Sequence, residues 1–309
     1  MILTVCPNPS IDCTIELDNL SVGMLNRVSN KVETYSGKAL NVAIGVARLK
    51  GESFATGFMF EDHKRTFEHV LDKEGVRYDF VSSPGATRVN YKIIDKKAML
   101  TEINDRGGEV SREKTDALVQ KIEKLSKKAS VAAICGSLPK GVNPEFYARA
   151  AEAVKDGVKL IIDAEKENTL AALSTGKVYM VKPNLKELEN FSGESLKDKR
   201  DMARAAKKYF EYGVKYVLVS LGSEGAVLTD GKENFFCKSA NVAVNSTVGA
   251  GDSMVAAASL AIEQDKGMEE LLLTSVAAGT AAVVTSGTNL FYKDKYDEVY
   301  SKIFVEKFV

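Results

Sequence analysis

The segment SVAAICGSLPKGVNPEFYARAAEAVKDGVKLIID, residues 130–163, passes from one short apolar run through a helical pattern into another short apolar run. SVAAIC and VKLIID have the length and side chains of strands buried on both faces, and PEFYARAAEAVKDG between them reads as a helix. On either side the same alternation continues. ILTVC, SFATGF, KVYMV and YVLVSLG read as strands, with ALNVAIGVARLK and KRDMARAAKKYFEYG as intervening helices. This pattern predicts an α/β fold, a mostly parallel central sheet with helices on both faces. In such sheets ligands bind at the carboxyl ends of the strands, so the residues just after each run are where function is sought.

Two regions interrupt the alternation. Residues 12–35 and 87–104 are strand-like and more polar, with no obvious helix inside either piece, and are expected to form a small antiparallel sheet, a two-segment lid beside the main one. After residue 245 the chain turns helical, with Ala-rich segments at 250–264 and 268–285 whose small side chains suit close packing. No internal repeat, low-complexity tract or Pro/Ser-rich linker divides the chain, so a single domain over residues 1–309 is expected.

Composition narrows the function. Hydrophobic residues make up 45% and charged residues 27%, which suits a globular protein and argues against disorder. The 42 basic and 42 acidic residues cancel, so no electrostatic footprint for nucleic acid or an anionic membrane is present, and any anionic ligand must be held locally. The opening MILTVCPNPSID lacks the pattern of a signal peptide, and no run approaches the roughly 18 apolar residues of a spanning helix, so a cytoplasmic protein is expected. Cys6, Cys13, Cys135 and Cys237 have no metal spacing and read as buried free thiols. His63 and His69 lie six apart in a charged segment, read as solvated surface, and offer neither a catalytic triad nor a zinc site.

The chemistry must therefore come from other residues. NSTVGAGDSMVAAASLAI, residues 245–262, sets Asp252 between small residues and an apolar helix. Asp252 either satisfies loose N–H groups at the positive end of that helix, or takes a proton from a neighbouring group while Gly249 and Gly251 let the backbone approach an anion. Asp12 follows the first strand, as part of an Asx turn or as a ligand at the sheet end. Gly37 and Lys38 open a helix with Asn41 one turn in, which suits a phosphate or a sugar hydroxyl as well as a solvated lysine. Arg88, Asn90 and Lys92 alternate and so share one strand face, either an ordinary polar edge or a grip on phosphate. Ser137 leaves a strand in CGSLPKG, where it makes a turn or offers its hydroxyl and N–H to an anion. Asn184 and Glu187, three apart after Pro183, suit a capping pair or a Mg2+ ion held through water. Ser220, Gly222 and Gly225 lie in a tight turn between strands, a plain hairpin or a set of donors around nucleotide phosphates.

NPSID, GKALNVA, TRVNYK, TEIN, GSLPKGV, KPNLKELE, VSLGSEGA and TVGAGDSMVA stand in the order in which they occur in one family. Over essentially its whole length the chain resembles the ribokinase-like sugar kinases, the PfkB family, and within it the branch that contains 1-phosphofructokinase and tagatose-6-phosphate kinase. The resemblance implies ATP-dependent phosphorylation of a ketose phosphate, fructose 1-phosphate to fructose 1,6-bisphosphate first, with tagatose-6-phosphate kinase or 6-phosphofructokinase activity as the alternative. A sugar-phosphate sensor that kept the fold without turnover is the reading from another class. The resemblance further implies that Asp252 is the catalytic base and that the N–H groups of Gly249, Ala250 and Gly251 form an anion hole. Asp12, Gly37 and Asn41 would bind the sugar, and Lys38, Arg88 and Ser137 its phosphate, with Lys92 and Arg27 as companions. Lys182, Asn184 and Glu187 would face the ATP phosphates and Mg2+, with Glu187 on the metal. Ser220, Leu221, Gly222, Ser223, Glu224 and Gly225 would cradle the nucleotide. Ser36, Ala39, DAEK at 163–166 and Ser286 depart from the family pattern, and an Ala39 methyl would narrow the approach of the sugar. A homodimer through the lid is expected, because the lid's strand edges would otherwise invite uncontrolled pairing.

Overall fold

The computed structural model describes residues 1–97, 99–243, 245–285 and 290–309, so Ser286 lies outside the described residues. Strands and helices are numbered in chain order. β1 (Ile2–Cys6), β4 (Ser53–Phe60), β9 (Val131–Cys135), β10 (Lys159–Asp163), β11 (Val178–Val181) and β12 (Tyr216–Ser220) are parallel and lie in the order β4-β1-β9-β10-β11-β12. Past β12 the sheet continues antiparallel through β13 (Ala226–Thr229), β14 (Asn234–Cys237) and β15 (Val305–Phe308). At the other side β5 (Arg77–Tyr78) and β6 (Val81–Ser83) both pair with β4.

All residues of β1 and β9 are buried, because helices cover both faces, and this is why their sequences run apolar without alternation. One face packs against α1 (Lys38–Arg48), α2 (Lys64–Lys73), α8 (Ala250–Glu263) and α9 (Met268–Val283). The other packs against α3 (Arg112–Ser126), α4 (Glu145–Ala153), α5 (Lys166–Leu173), α6 (Leu185–Ser192) and α7 (Lys199–Phe210). Each fully buried Leu or Ile of these layers contributes about 1.5–3 kcal/mol, so the main sheet carries the stability of the fold.

A second sheet has the order β3 (Val28–Ser36), β2 (Ser10–Leu17), β7 (Arg88–Asp95), β8 (Leu100–Asn104), and every residue of β8 is exposed. It is mixed rather than antiparallel: β2 and β7, its central pair, are parallel, with Asp12 opposite Asn90 and Thr14 opposite Lys92. The reason is the parentage of the two strands. β2 follows β1 and β7 follows β6, whose neighbour β4 is parallel to β1, so both leave the main sheet in one direction and each returns by its own hairpin.

Cys6, Cys13, Cys135 and Cys237 are free and buried. Burial pushes the Cys6 thiol up to about 11 and the Cys237 thiol to about 12. His69 is exposed as expected, but His63 is half-buried, with its ring 6.0 Å from that of Tyr35. Among the described residues no helix is long and apolar enough to cross a membrane.

Candidate active site

The helix α8 starts after Gly249, which takes the left-handed φ of 79° needed to turn the loop into the helix. Asp252 lies in its first turn and is buried. Its carboxylate does not cap the helix: among the described residues Oδ2 accepts from Asn41 Nδ2 at 2.8 Å and Oδ1 from Lys38 Nζ at 3.4 Å. Gly37 caps α1, so Lys38 and Asn41 project from its first turn onto the start of α8. Ser36 supplies the orientation, since Asn41 Nδ2 also donates to its hydroxyl at 3.1 Å. Ala39 is fully buried and packs in the apolar core.

Behind Lys38 lies Asp163, the last residue of β10 and only 4% exposed. Its Oδ2 accepts from Lys38 Nζ at 3.0 Å and its Oδ1 lies 3.5 Å from Lys182 Nζ. Burial alone would push the Asp163 carboxyl up, but the charges of Lys182 and Lys38 outweigh it and hold it below the usual carboxylate range. Burial likewise works against the Lys38 ammonium, yet Asp163 and Asp252 hold its pKa above that of an ordinary lysine. Two ammonium groups and two carboxylates therefore share one neutral cluster. Lys182 Nζ also lies over Gly251, where an added Cβ would approach it to 3.3 Å, so the missing side chain leaves the ammonium room beside the start of α8.

Asp12 sits on β2 facing the same way as Asn90 and Lys92 on β7. Asn90 Nδ2 donates to Asp12 Oδ1 at 3.1 Å, and Lys92 Nζ lies 3.3 Å from Oδ2, so Lys92 serves Asp12 here. Arg88 Nη2 donates to the Asn8 carbonyl oxygen at 3.0 Å. Its Nε and the Ser137 hydroxyl are buried without a partner among the described residues, and burial lowers the Arg88 pKa. No hydrogen bond joins Lys38, Arg88 and Ser137 among the described residues, and Arg27 is exposed on the loop between β2 and β3.

Asn184 and Glu187 form a complete capping box at the start of α6: Asn184 Oδ1 accepts from Glu187 N and Glu187 Oε2 from Asn184 N, both at 2.8 Å. Glu187 lines a cleft of about 220 Å³ together with Glu165, Lys166, Thr169, Lys182 and Tyr209. Ser220 N donates to the Pro183 carbonyl at 3.0 Å, which joins the KPN segment to the turn Ser220–Gly225. Gly222–Glu224 form that turn as one short 3-10 coil, which Leu221 precedes. Gly225 has a structural duty of its own, because at φ +101° an added Cβ would lie 1.9 Å from the Cys237 carbonyl oxygen. Gly225→Ala is expected to lower the melting temperature by about 5 °C or more, a cost of roughly 2 kcal/mol. An unchanged melting curve would show that the turn is not needed in this form.

A family model described as pfkB family carbohydrate kinase matches residues 7–295. The chain belongs to this family. A 1-phosphofructokinase of Vibrio cholerae serotype O1 is 28% identical over 303 residues, 98% of this chain and 95% of the relative. A tagatose-6-phosphate kinase of Staphylococcus epidermidis is 30% identical over 306 residues, 98% of each chain. The crystal structure of phosphofructokinase-2 from Escherichia coli in complex with substrates and products superposes with a TM-score of 0.90 at 29% identity, covering 97% of this chain and 98% of that one. This PfkB kinase is thus a phosphotransferase with a ribokinase-like α/β fold.

Two residues at the candidate site escaped the reading of the sequence. Asp163 stood out there only as a departure in DAEK, although an acid closing the apolar run VKLIID at the carboxyl end of a strand was a usable signal. Asn8 opens NPSID, but it holds Arg88 through its backbone carbonyl, a contact that no side-chain pattern encodes.

Proposed function

We propose that this kinase transfers the γ-phosphoryl group of ATP to a hydroxyl of a ketose monophosphate, fructose 1-phosphate first, with tagatose 6-phosphate or fructose 6-phosphate as the alternative. The observation that carries the reading is the Asp252 carboxylate, turned away from its own helix and held by Asn41 and Lys38. Each of its oxygens accepts one protein hydrogen bond among the described residues, and a carboxylate oxygen has two acceptor sites, so a site remains for a hydroxyl proton. Asp252 takes that proton as the hydroxyl oxygen bonds to the γ-phosphorus and the bond to ADP breaks. The N–H groups of Gly249, Ala250 and Gly251 at the positive end of α8 receive the charge of the phosphoryl group.

Asp12, Gly37 and Asn41 bind sugar hydroxyls in this reading. Arg88 and Ser137 take the existing phosphate, since buried donors without protein partners suit an anion. Lys38 is the second cation for that phosphate, and its ion pairs place it beside the base as well. Ser220–Gly225 cradles the nucleotide, and Lys182 meets its phosphates. Among the described residues no three His, Cys, Asp or Glu gather as a metal site, which fits an ion held mainly by phosphate oxygens and water. Glu187 has Oε2 committed to the capping box with Asn184, so its other carboxylate oxygen would hold Mg2+ through water, and an ion there would neutralise phosphate charge. The buried free thiols suit a reducing, cytoplasmic compartment.

The small sheet acts as a lid over the sugar in this single domain, and two copies join through it. Val28, Val32, Tyr91, Leu100 and Ile103 are exposed on its strands, which a second copy would cover. A dimeric mass in solution is expected, and a fully active monomer at assay concentrations would remove the idea. The substrate is tested by ATP consumption with Mg2+ against a panel of ketose phosphates and free sugars. Turnover confined to a ketose phosphate supports the reading; if nothing is turned over, a sugar-phosphate sensor takes its place.

A further inference from the structure

The start of α2 grips both roots of the small sheet. At the β3 root, the Tyr35 ring lies 6.0 Å from that of His63 and 5.3 Å, edge on, from that of Phe67. At the β7 root stands Thr87, buried and immediately before Arg88. Asp62, in the loop before α2, holds it twice: Oδ1 accepts from the Thr87 hydroxyl at 2.8 Å and Oδ2 from the Thr87 N–H at 3.0 Å. The carboxylate also accepts from the His63 N–H at 2.8 Å, and His63 Nδ1 lies 2.8 Å from Oδ2. Burial raises the Asp62 pKa, but the two bonds from Thr87 and the contact with His63 bring it below the usual value, so the acceptor stays charged near neutrality.

We propose that Asp62 is a positioning residue for substrate, fixing Thr87 so that the guanidinium of Arg88 is aimed at the phosphate of the sugar. The inference rests on the assignment of Arg88 to that phosphate. Thr87 is bound through both backbone and side chain, so it can neither slide along β7 nor rotate about χ1. The next residue therefore leaves the root in one direction. Arg88 then has one arm spent on the Asn8 carbonyl and Nε buried without a partner among the described residues, an arrangement with a single useful orientation for an anion. Guanidinium–phosphate recognition is directional, and an error of about 1 Å in placing such a group costs up to roughly 100-fold.

The test is steady-state kinetics of Asp62→Ala, Asp62→Asn, Arg88→Ala and the double variant Asp62→Ala/Arg88→Ala, with the ketose phosphate that gives the highest kcat/KM in the panel. Asp62→Ala is expected to raise the KM for that sugar about ten-fold and to leave the KM for ATP within about two-fold. Asp62→Asn keeps the size and one acceptor oxygen, so it should fold and lose about three-fold. In the Arg88→Ala background the Asp62 change should add nothing, because its effect passes through the guanidinium. Additive losses, equal losses for ATP, or an unchanged sugar KM beside a raised one in Arg88→Ala would overturn the inference while sparing the Arg88 assignment. An Arg88→Ala variant with unchanged sugar KM, or a panel with no turnover, would remove both.

Discussion

Asp252→Asn is expected to lower kcat by about 10^2- to 10^4-fold while ATP and the sugar phosphate bind with similar affinity. The amide has nearly the same size as the carboxylate but cannot accept the hydroxyl proton. The alternative, that Asp252 only caps α8, predicts near-normal kcat and a loss of thermal stability. The geometry supports the first, since the carboxylate bonds to Asn41 and Lys38 rather than to N–H groups of its own helix among the described residues. The ion pair that the substitution removes involves Lys38, whose side chain is 44% exposed and keeps Asp163 as a partner. The amide oxygen of Asn can still accept a hydrogen bond there, so the melting curve should move little. The measurement is steady-state kinetics beside a melting curve of the same purified variant, and a near-normal kcat would end the assignment of Asp252 as base.

Arg88→Ala should raise the KM for the sugar phosphate by roughly 10- to 150-fold, the equivalent of about 1.5–3 kcal/mol for a charged hydrogen-bonded contact. The KM for ATP should change far less, because the nucleotide is assigned to the turn after β12 and to Lys182. Arg88 also donates to the Asn8 carbonyl, so a purely structural role is a real competitor. That role predicts equal losses for both substrates together with a lowered melting temperature. A free sugar used as a poor acceptor gives a second check, since it lacks the phosphate and its turnover should be indifferent to the substitution.

The parallel sheet, its covering helices and the order of the motifs were legible in the sequence because each depends on neighbours within a few residues. A strand buried on both faces must be apolar throughout, as β1 and β9 are. A capping box needs only Asn and Glu three apart, and Asn184 and Glu187 form one. The pairing of Asp252 with Asn41 joins residues 211 apart, and that of Lys38 with Asp163 joins residues 125 apart. No local pattern encodes such meetings, so the sequence left open whether Asp252 caps or faces a ligand and passed over Asp163. The parallel centre of the small sheet was hidden for the same reason, since the direction of β7 beside β2 follows from where each leaves the main sheet. The sequence by itself determined which segments are strands and helices and which residue types stand at the strand ends, through periodicity and local hydrogen bonding. Only the tertiary structure decided which charges face one another, because burial and ion pairing depend on distances that the folded chain alone sets.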